Sequence, residues 1–187
     1  MDAFEQVVSE ILWMKGLWVR TPVEVNLQPE DKVAISKPTS PRWELDIVAY
    51  SGRDNLIYVV ECKSYLNSRG VTFAGLGGAD AATAGRYKLF SNENATLREV
   101  VFNRLKTQLT ESPSRACFPN PDVRLCLGCG HIASKGDRIK LRDHFKAQNW
   151  ELWDEDWLRE HLEDMGNSKY ENQVSHVVAK LLRKNAS

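Results

Sequence analysis

Apolar residues recur along this chain in two rhythms, one of three and four residues and one of two. Phe4, Val7, Val8, Ile11 and Leu12 follow the first and predict an amphipathic helix over 2–15, with Gly16 as its stop. At about 100° per residue, Glu5 falls on the border of that apolar stripe and Glu10 falls well outside it, facing water. Residues 17–25 then read as a strand, with Pro22 as an interruption. Residues 26–41 carry Pro29, Pro38 and Pro41, mixed charge and no period, and read as a long loop with room for one helical turn.

The two-residue rhythm is strictest from Trp43 to Ser64. Leu45, Ile47 and Ala49 line one face of a first strand, and Glu44, Asp46, Val48 and Tyr50 line the other. Ile57, Val59, Glu61 and Lys63 share one face of a second strand, and Leu56, Tyr58, Val60 and Cys62 share its other face. Both faces of the second strand stay apolar almost to its end, which predicts a central strand covered on both sides. Residues 51–55 have the Gly, Asp and Asn of a hairpin loop. An antiparallel pairing then brings Asp46 near Glu61 and Lys63.

Residues 64–85 are glycine-rich and read as a flexible connection over that end of the sheet; they lack the pattern of a phosphate-binding loop. Thr96 with Glu99 reads as a capping box opening a helix that carries Leu97, Val100, Val101, Leu105 and Leu109. A strand over 123–132, a helix over 137–148 and a short strand over 150–153 follow. Asp154 caps a helix ended by Gly166, and Ser168 with Glu171 caps a last amphipathic helix. This order predicts an α/β chain. It also predicts one domain over 1–187, with a core at 2–153 and a C-terminal helical extension at 154–187.

Two carboxylates and an ammonium at the rim of an apolar sheet carry the candidate chemistry. Any one of these acids reads most simply as half of an ion pair at a strand end. The set of three reads differently, because a second buried carboxylate deepens the desolvation cost unless a cation is bound. Hard cations such as magnesium take carboxylate and carbonyl oxygens, using one or two protein carboxylates and substrate phosphate. Lysine beside such a centre can orient or deprotonate a water, or neutralise charge growing on phosphorus.

Asp46 followed by Glu61-Cys62-Lys63 resembles the D…ExK core of the PD-(D/E)XK nuclease superfamily. The segment IVAYSGRDNLIYVVECKSY is most similar to Mrr-type restriction endonucleases and archaeal Holliday-junction resolvases, with the match densest over residues 4–65. Leu45 departs from the proline in the motif's name. The resemblance implies a three-layer restriction-endonuclease-like core, with a central mixed sheet flanked by helices, and cleavage of DNA phosphodiesters. It implies Mg2+, with Mn2+ as a substitute, held by Asp46, Glu61 and the Cys62 carbonyl. Lys63 would act on the water, and Glu5 would support a second metal or the first metal's water. Gln108 would face the metal site from its helix, one turn from Arg104. Tyr65, Arg69, Arg86 and Lys88 are candidate phosphate contacts after the catalytic strand.

Composition changes this picture little. Net charge is zero, so no global basic signal marks a nucleic-acid binder. A small acidic excess up to Lys63 gives way to a small basic excess over 64–115, which suits phosphate contact. No run of about eighteen apolar residues is present, so no membrane span is expected. The start lacks a signal pattern, so a cytoplasmic location is the default expectation. DNA is the expected partner, with a homodimer or a separate specificity subunit supplying what the chain lacks. Two rival classes remain. One is a nuclease-like fold without activity that binds nucleic acid or scaffolds an assembly. The other is a zinc-stabilised interaction domain built on Cys117, Cys126, Cys129 and His131.

Overall fold

A computed structural model describes residues 2–36, 42–111, 116–169 and 173–184. The chain runs α1 (Ala3–Met14), β1 (Trp18–Arg20), β2 (Val23–Asn26), α2 (Pro29–Ala34), β3 (Arg42–Leu45), β4 (Ile47–Ser51) and β5 (Leu56–Lys63). Short helices α3 (Phe73–Leu76) and α4 (Ala81–Ala84) and a 3-10 turn at Asn92–Asn94 lead into α5 (Ala95–Glu111). Then come β6 (Asp122–Cys129), α6 (Lys135–Ala147), β7 (Glu151–Trp153), α7 (Glu155–Asn167) and α8 (Val174–Lys184).

Five strands form a mixed sheet in the order β1-β4-β5-β6-β7. β1 and β5 flank β4 antiparallel, and β6 runs parallel to both β5 and β7. Helices cover both faces, as the doubly apolar pattern of β5 requires. On one face α1 and α7 bury Val8, Ile11, Leu12, Leu158 and Met165 against Ile47, Ala49 and Val60. On the other, α5 and α6 bury Leu97, Val101, Leu105, Leu141 and Phe145 against Val48, Ile57 and Val59. Full burial of each such side chain stabilises the fold by about 1.5–3 kcal/mol. The α/β class and the mixed, helix-flanked sheet match the expectation.

Several boundaries differ, each for a local reason. The strand expected over 17–25 divides at Thr21-Pro22, and only its first part, β1, joins the main sheet. β2 pairs instead with β3 in a separate two-stranded sheet. The strand expected from Trp43 to Tyr50 also divides, at Asp46, between these two sheets. The helix expected to open at Thr96 begins earlier: Ser91 caps the 3-10 turn that feeds α5, so Thr96 lies inside the helix. Gly166 does not end α7. It sits within the helix, where an added Cβ would lie 3.4 Å from the Ala179 carbonyl oxygen, so its bare backbone brings α8 close. Glu171 of the expected last capping box lies outside the described residues.

Glu10 requires a correction. Helical phase alone turned it to water, yet it is buried: α8 lies over it, the Ser175 hydroxyl donates to its Oε2, and Gln6 Nε2 donates to its Oε1 at 3.0 Å. Nor is the segment after β5 a loose cover. Val71 bridges Ile132 in parallel at the end of the sheet, and Leu76, Tyr87, Leu89 and Phe90 are buried in the α5/α6 core. Among the described residues, no helix is long and apolar enough to cross a membrane.

Candidate active site

Asp46 lies where the chain passes from one sheet to the other. Leu45 packs into the same core as Val48 and Tyr50, whereas Ile47 and Ala49 face the α1/α7 core. Unbroken alternation would have grouped Leu45 with Ile47, so the chain turns over by one position at Asp46. The neighbouring break at Thr21-Pro22 lies beside it, and Thr21 Oγ1 donates to the Asp46 carbonyl at 2.6 Å. Thr21 has no part in the sequence-level site; nothing in its local pattern marks it, because the contact exists only once β1 and β4 are paired.

The β4–β5 register ends with Ile47 opposite Val60, which places Asp46 alongside Glu61. The Cys62 N–H donates to Asp46 Oδ2 at 2.7 Å. Lys63 Nζ donates to the Cys62 carbonyl at 3.0 Å and lies 3.8 Å from Glu61 Oε2 and 4.0 Å from Asp46 Oδ2. Three oxygens from two strands therefore gather around one cationic group. Gly130 makes the close approach possible behind them: an added Cβ would sit 2.3 Å from the Ser64 carbonyl oxygen, and its N–H donates to the Lys63 carbonyl at 3.1 Å.

Burial is the largest influence on Glu61, followed by the Asp46 charge, and together with Glu5 they push its carboxyl up to about 7 against the opposing pull of Lys63. One ammonium does not neutralise this pair of carboxylates, so a simple ion pair does not account for the grouping. All three oxygens are hard donors of the kind magnesium prefers. In this structure they gather around Lys63 Nζ, and by donor chemistry Asp46, Glu61 and the Cys62 carbonyl are the groups that would hold a divalent ion. The Cys62 side chain points into the α1/α7 core, and burial raises its thiol.

Glu5 is close enough for its charge to act on Glu61, but its carboxylate is engaged otherwise. Asp2 and Glu5 form a reciprocal capping box, in which the Asp2 N–H donates to Glu5 Oε2 at 3.0 Å. Burial, partly offset by this hydrogen bond and reinforced by Asp46, raises its pKa. Among the described residues, no three His, Cys, Asp or Glu side chains group as metal ligands. Glu5 thus lies within electrostatic reach of Asp46 and Glu61, with one carboxylate oxygen accepting from the Asp2 N–H.

Two further expected residues are turned elsewhere. Arg104 forms ion pairs with Asp31 and Glu30, the latter at 2.7 Å, which clamp α2 to α5. Gln108 donates to the Glu24 carbonyl at 2.8 Å and accepts from the Asn26 N–H at 3.2 Å, so its amide serves the backbone of β2 rather than the carboxylates. Tyr65 stays near the site. Burial would raise its phenol, but hydrogen bonds with Arg86 and Tyr87 and the charges of Arg86 and Lys63 outweigh it, and the net direction is down. Arg69 is exposed, and its charge acts on Asp137 at the start of α6. The Lys88 ammonium lies 6.0 Å from the Trp43 ring.

The cysteine-histidine set does not converge. Cys126 faces the α1/α7 core and Cys129 the α5/α6 core, because three residues of strand separate opposite faces. Cys117 is buried in the α5/α6 core, and burial pushes its thiol up to about 11.

No protein-family model, curated protein or solved structure matches this chain.

Proposed function

We propose that the protein is a magnesium-dependent deoxyribonuclease with a restriction-endonuclease-like core of the PD-(D/E)XK type, acting in restriction or DNA processing. One observation carries this reading. Oxygens of Asp46, Glu61 and Cys62 gather around the Lys63 ammonium, and two carboxylates there face one cationic side chain.

Asp46 and Glu61 would hold the ion through their carboxylates, and Cys62 through its carbonyl. The chemistry supplied there by magnesium, or manganese in its place, would be polarisation of a phosphodiester and acidification of the attacking water. Lys63, tethered by the Cys62 carbonyl, orients the attacking water and offsets charge growing on the phosphoryl oxygens. The Asp46–Cys62 hydrogen bond keeps the two strands, and so the two carboxylates, in register. Tyr65 and Arg86, on the segment that follows β5, would meet the nucleic-acid backbone, and Arg69 would extend that side. A second copy of the chain or a separate subunit would supply sequence specificity, and the site of action would be the cytoplasm.

The test is cleavage of plasmid DNA by purified protein with Mg2+ or Mn2+, paired with calorimetric titration of Mn2+ into wild type and Asp46→Asn. The proposal expects metal-dependent cleavage and Mn2+ binding, both lost in the variant. Mn2+ binding without cleavage of DNA or RNA would instead favour a fold that binds nucleic acid without cutting it. Absence of both would overturn the reading.

A further inference from the structure

At the other end of the sheet, beside the β4–β5 turn, lies a second cavity of about 490 Å³. That volume falls within the range of about 300–1,000 Å³ common to small-molecule sites. One wall is aromatic. Trp153 and Trp157 stack with ring centroids 4.9 Å apart and planes 14° from parallel. Tyr58 leans on Trp153 at 6.1 Å, and His161 continues the stack behind Trp157 at 4.2 Å. Lys15 from the end of α1 and Arg53 from the turn add two cations to the lining.

The polar groups are unevenly satisfied. Both acids in the lining already have partners: Glu151 is paired with Arg124 at 2.9 Å, and Asp54 accepts from the Ser51 hydroxyl at 2.7 Å. Lys15 Nζ meets His161 Nε2 at 3.1 Å, while His161 Nδ1 meets the Trp157 carbonyl at 2.8 Å. A carbonyl only accepts and an ammonium only donates, so Nδ1 carries the ring proton and Nε2 accepts. His161 therefore orients Lys15 without cancelling its charge. Among the described residues, the Arg53 guanidinium, the Tyr58 hydroxyl and the indole N–H groups of Trp153 and Trp157 make no hydrogen bond. The lining thus combines unspent donors, two cations and an aromatic stack.

We propose that this cavity binds a nucleoside phosphate, with its ring against Tyr58, Trp153 and Trp157 and its phosphate at Lys15 and Arg53. Aromatic surfaces accept any base through its π face or edge, and Arg and Lys supply the charge for phosphate. Tyr58 precedes Lys63 by five residues of β5, about 17 Å at the usual rise per residue. Its side chain also packs on the α1/α7 face. The site is therefore separate from the carboxylates and does not depend on the nuclease reading.

The test uses adenosine 5′-monophosphate with the full chain, free of divalent metal and of DNA. Calorimetry measures binding, and separate titrations use adenosine and inorganic phosphate. The side-chain N–H resonances of the tryptophans report location. The expected result is saturable binding of the monophosphate, tighter than either fragment, with shifts at Trp153 and Trp157. Arg53→Glu and Lys15→Glu, both at exposed positions, should each weaken it by about tenfold or more. No saturable binding would overturn the proposal. So would equal affinity for phosphate alone, unshifted Trp153 and Trp157 resonances, or unchanged affinity in both variants.

Discussion

The backbone N–H of Cys62 donates to Asp46 Oδ2 at 2.7 Å, so the strand that carries Glu61 and Lys63 also holds the carboxylate contributed by its neighbour. The bond ties a main-chain donor of β5 to the one side chain at which the adjacent strand leaves its sheet. It explains how two acids can stay together at a half-buried rim. Asp46 gains a fixed donor, and Glu61 is left to bear most of the desolvation.

Replacing Asp46 with Asn keeps an oxygen for the Cys62 N–H and removes the charge. Cleavage should fall by about a hundredfold or more, as for loss of a group that stabilises the reacting centre. The Glu61 carboxyl should titrate closer to the ordinary glutamate range, because Asp46 is the second largest influence raising it. Carboxyl-carbon NMR against pH reads the second effect and circular dichroism confirms the fold. Lys63→Ala should lose cleavage to a similar extent while remaining folded.

Glu61 also sets a pH dependence of stability. Its carboxyl is raised from 4.5 to about 7 on folding, so the folded state binds the proton more tightly. The resulting stabilisation is complete below about pH 4.5 and is lost as pH rises through 7, a change of about 3 kcal/mol at most. Through Glu61, metal-free protein should therefore melt at a lower temperature at pH 8 than at pH 5. Glu61→Gln should flatten that dependence, and Mg2+ should raise the melting temperature chiefly at the alkaline end. Melts across pH, with and without Mg2+, check each arm.

Gln108 and Arg104 should behave as structural residues. Gln108→Ala strips both hydrogen bonds from the β2 backbone and should cost about 1–2 kcal/mol in urea unfolding. Arg104→Ala should cost about 1 kcal/mol by loosening α2 from α5. Metal-dependent cleavage per folded molecule should change little in either. A large fall in cleavage with unchanged stability would return them to the substrate surface.

Thr21→Val keeps the shape of the side chain and removes the donor to the Asp46 carbonyl. The loss should cost about 1 kcal/mol. Because Asp46 would be held less firmly, Mn2+ affinity measured by calorimetry should fall as well. Pro22 is no substitute for that contact, having no N–H to donate.

Much of the site was readable along the chain because β5 obeys a period of two over its whole length. Glu61 and Lys63 then share a face by arithmetic, and a short turn delivers Asp46 to them. Residues outside that local rule were harder to place. Glu10 has a polar helical phase, yet α8 returns from far along the chain to cover it with Ser175. Gln108 and Arg104 sit where a helix could have faced the site, but the backbone of β2 and the acids of α2 claim them first. The cavity lined by Lys15, Arg53, Tyr58, Trp153 and Trp157 had no sequence signature, because its walls come from α1, the β4–β5 turn, β7 and α7.

By itself, the order of apolar and polar residues determined the long helices, the central hairpin and the approach of Asp46 to Glu61 and Lys63. These follow from repeat distances of a few residues, which the backbone imposes locally. Only the tertiary structure decided that the strand breaks at Asp46, that Lys63 takes the centre of three oxygens, and that Glu5 closes a capping box with Asp2. Those outcomes depend on which distant segments compete for the same donors, acceptors and buried space.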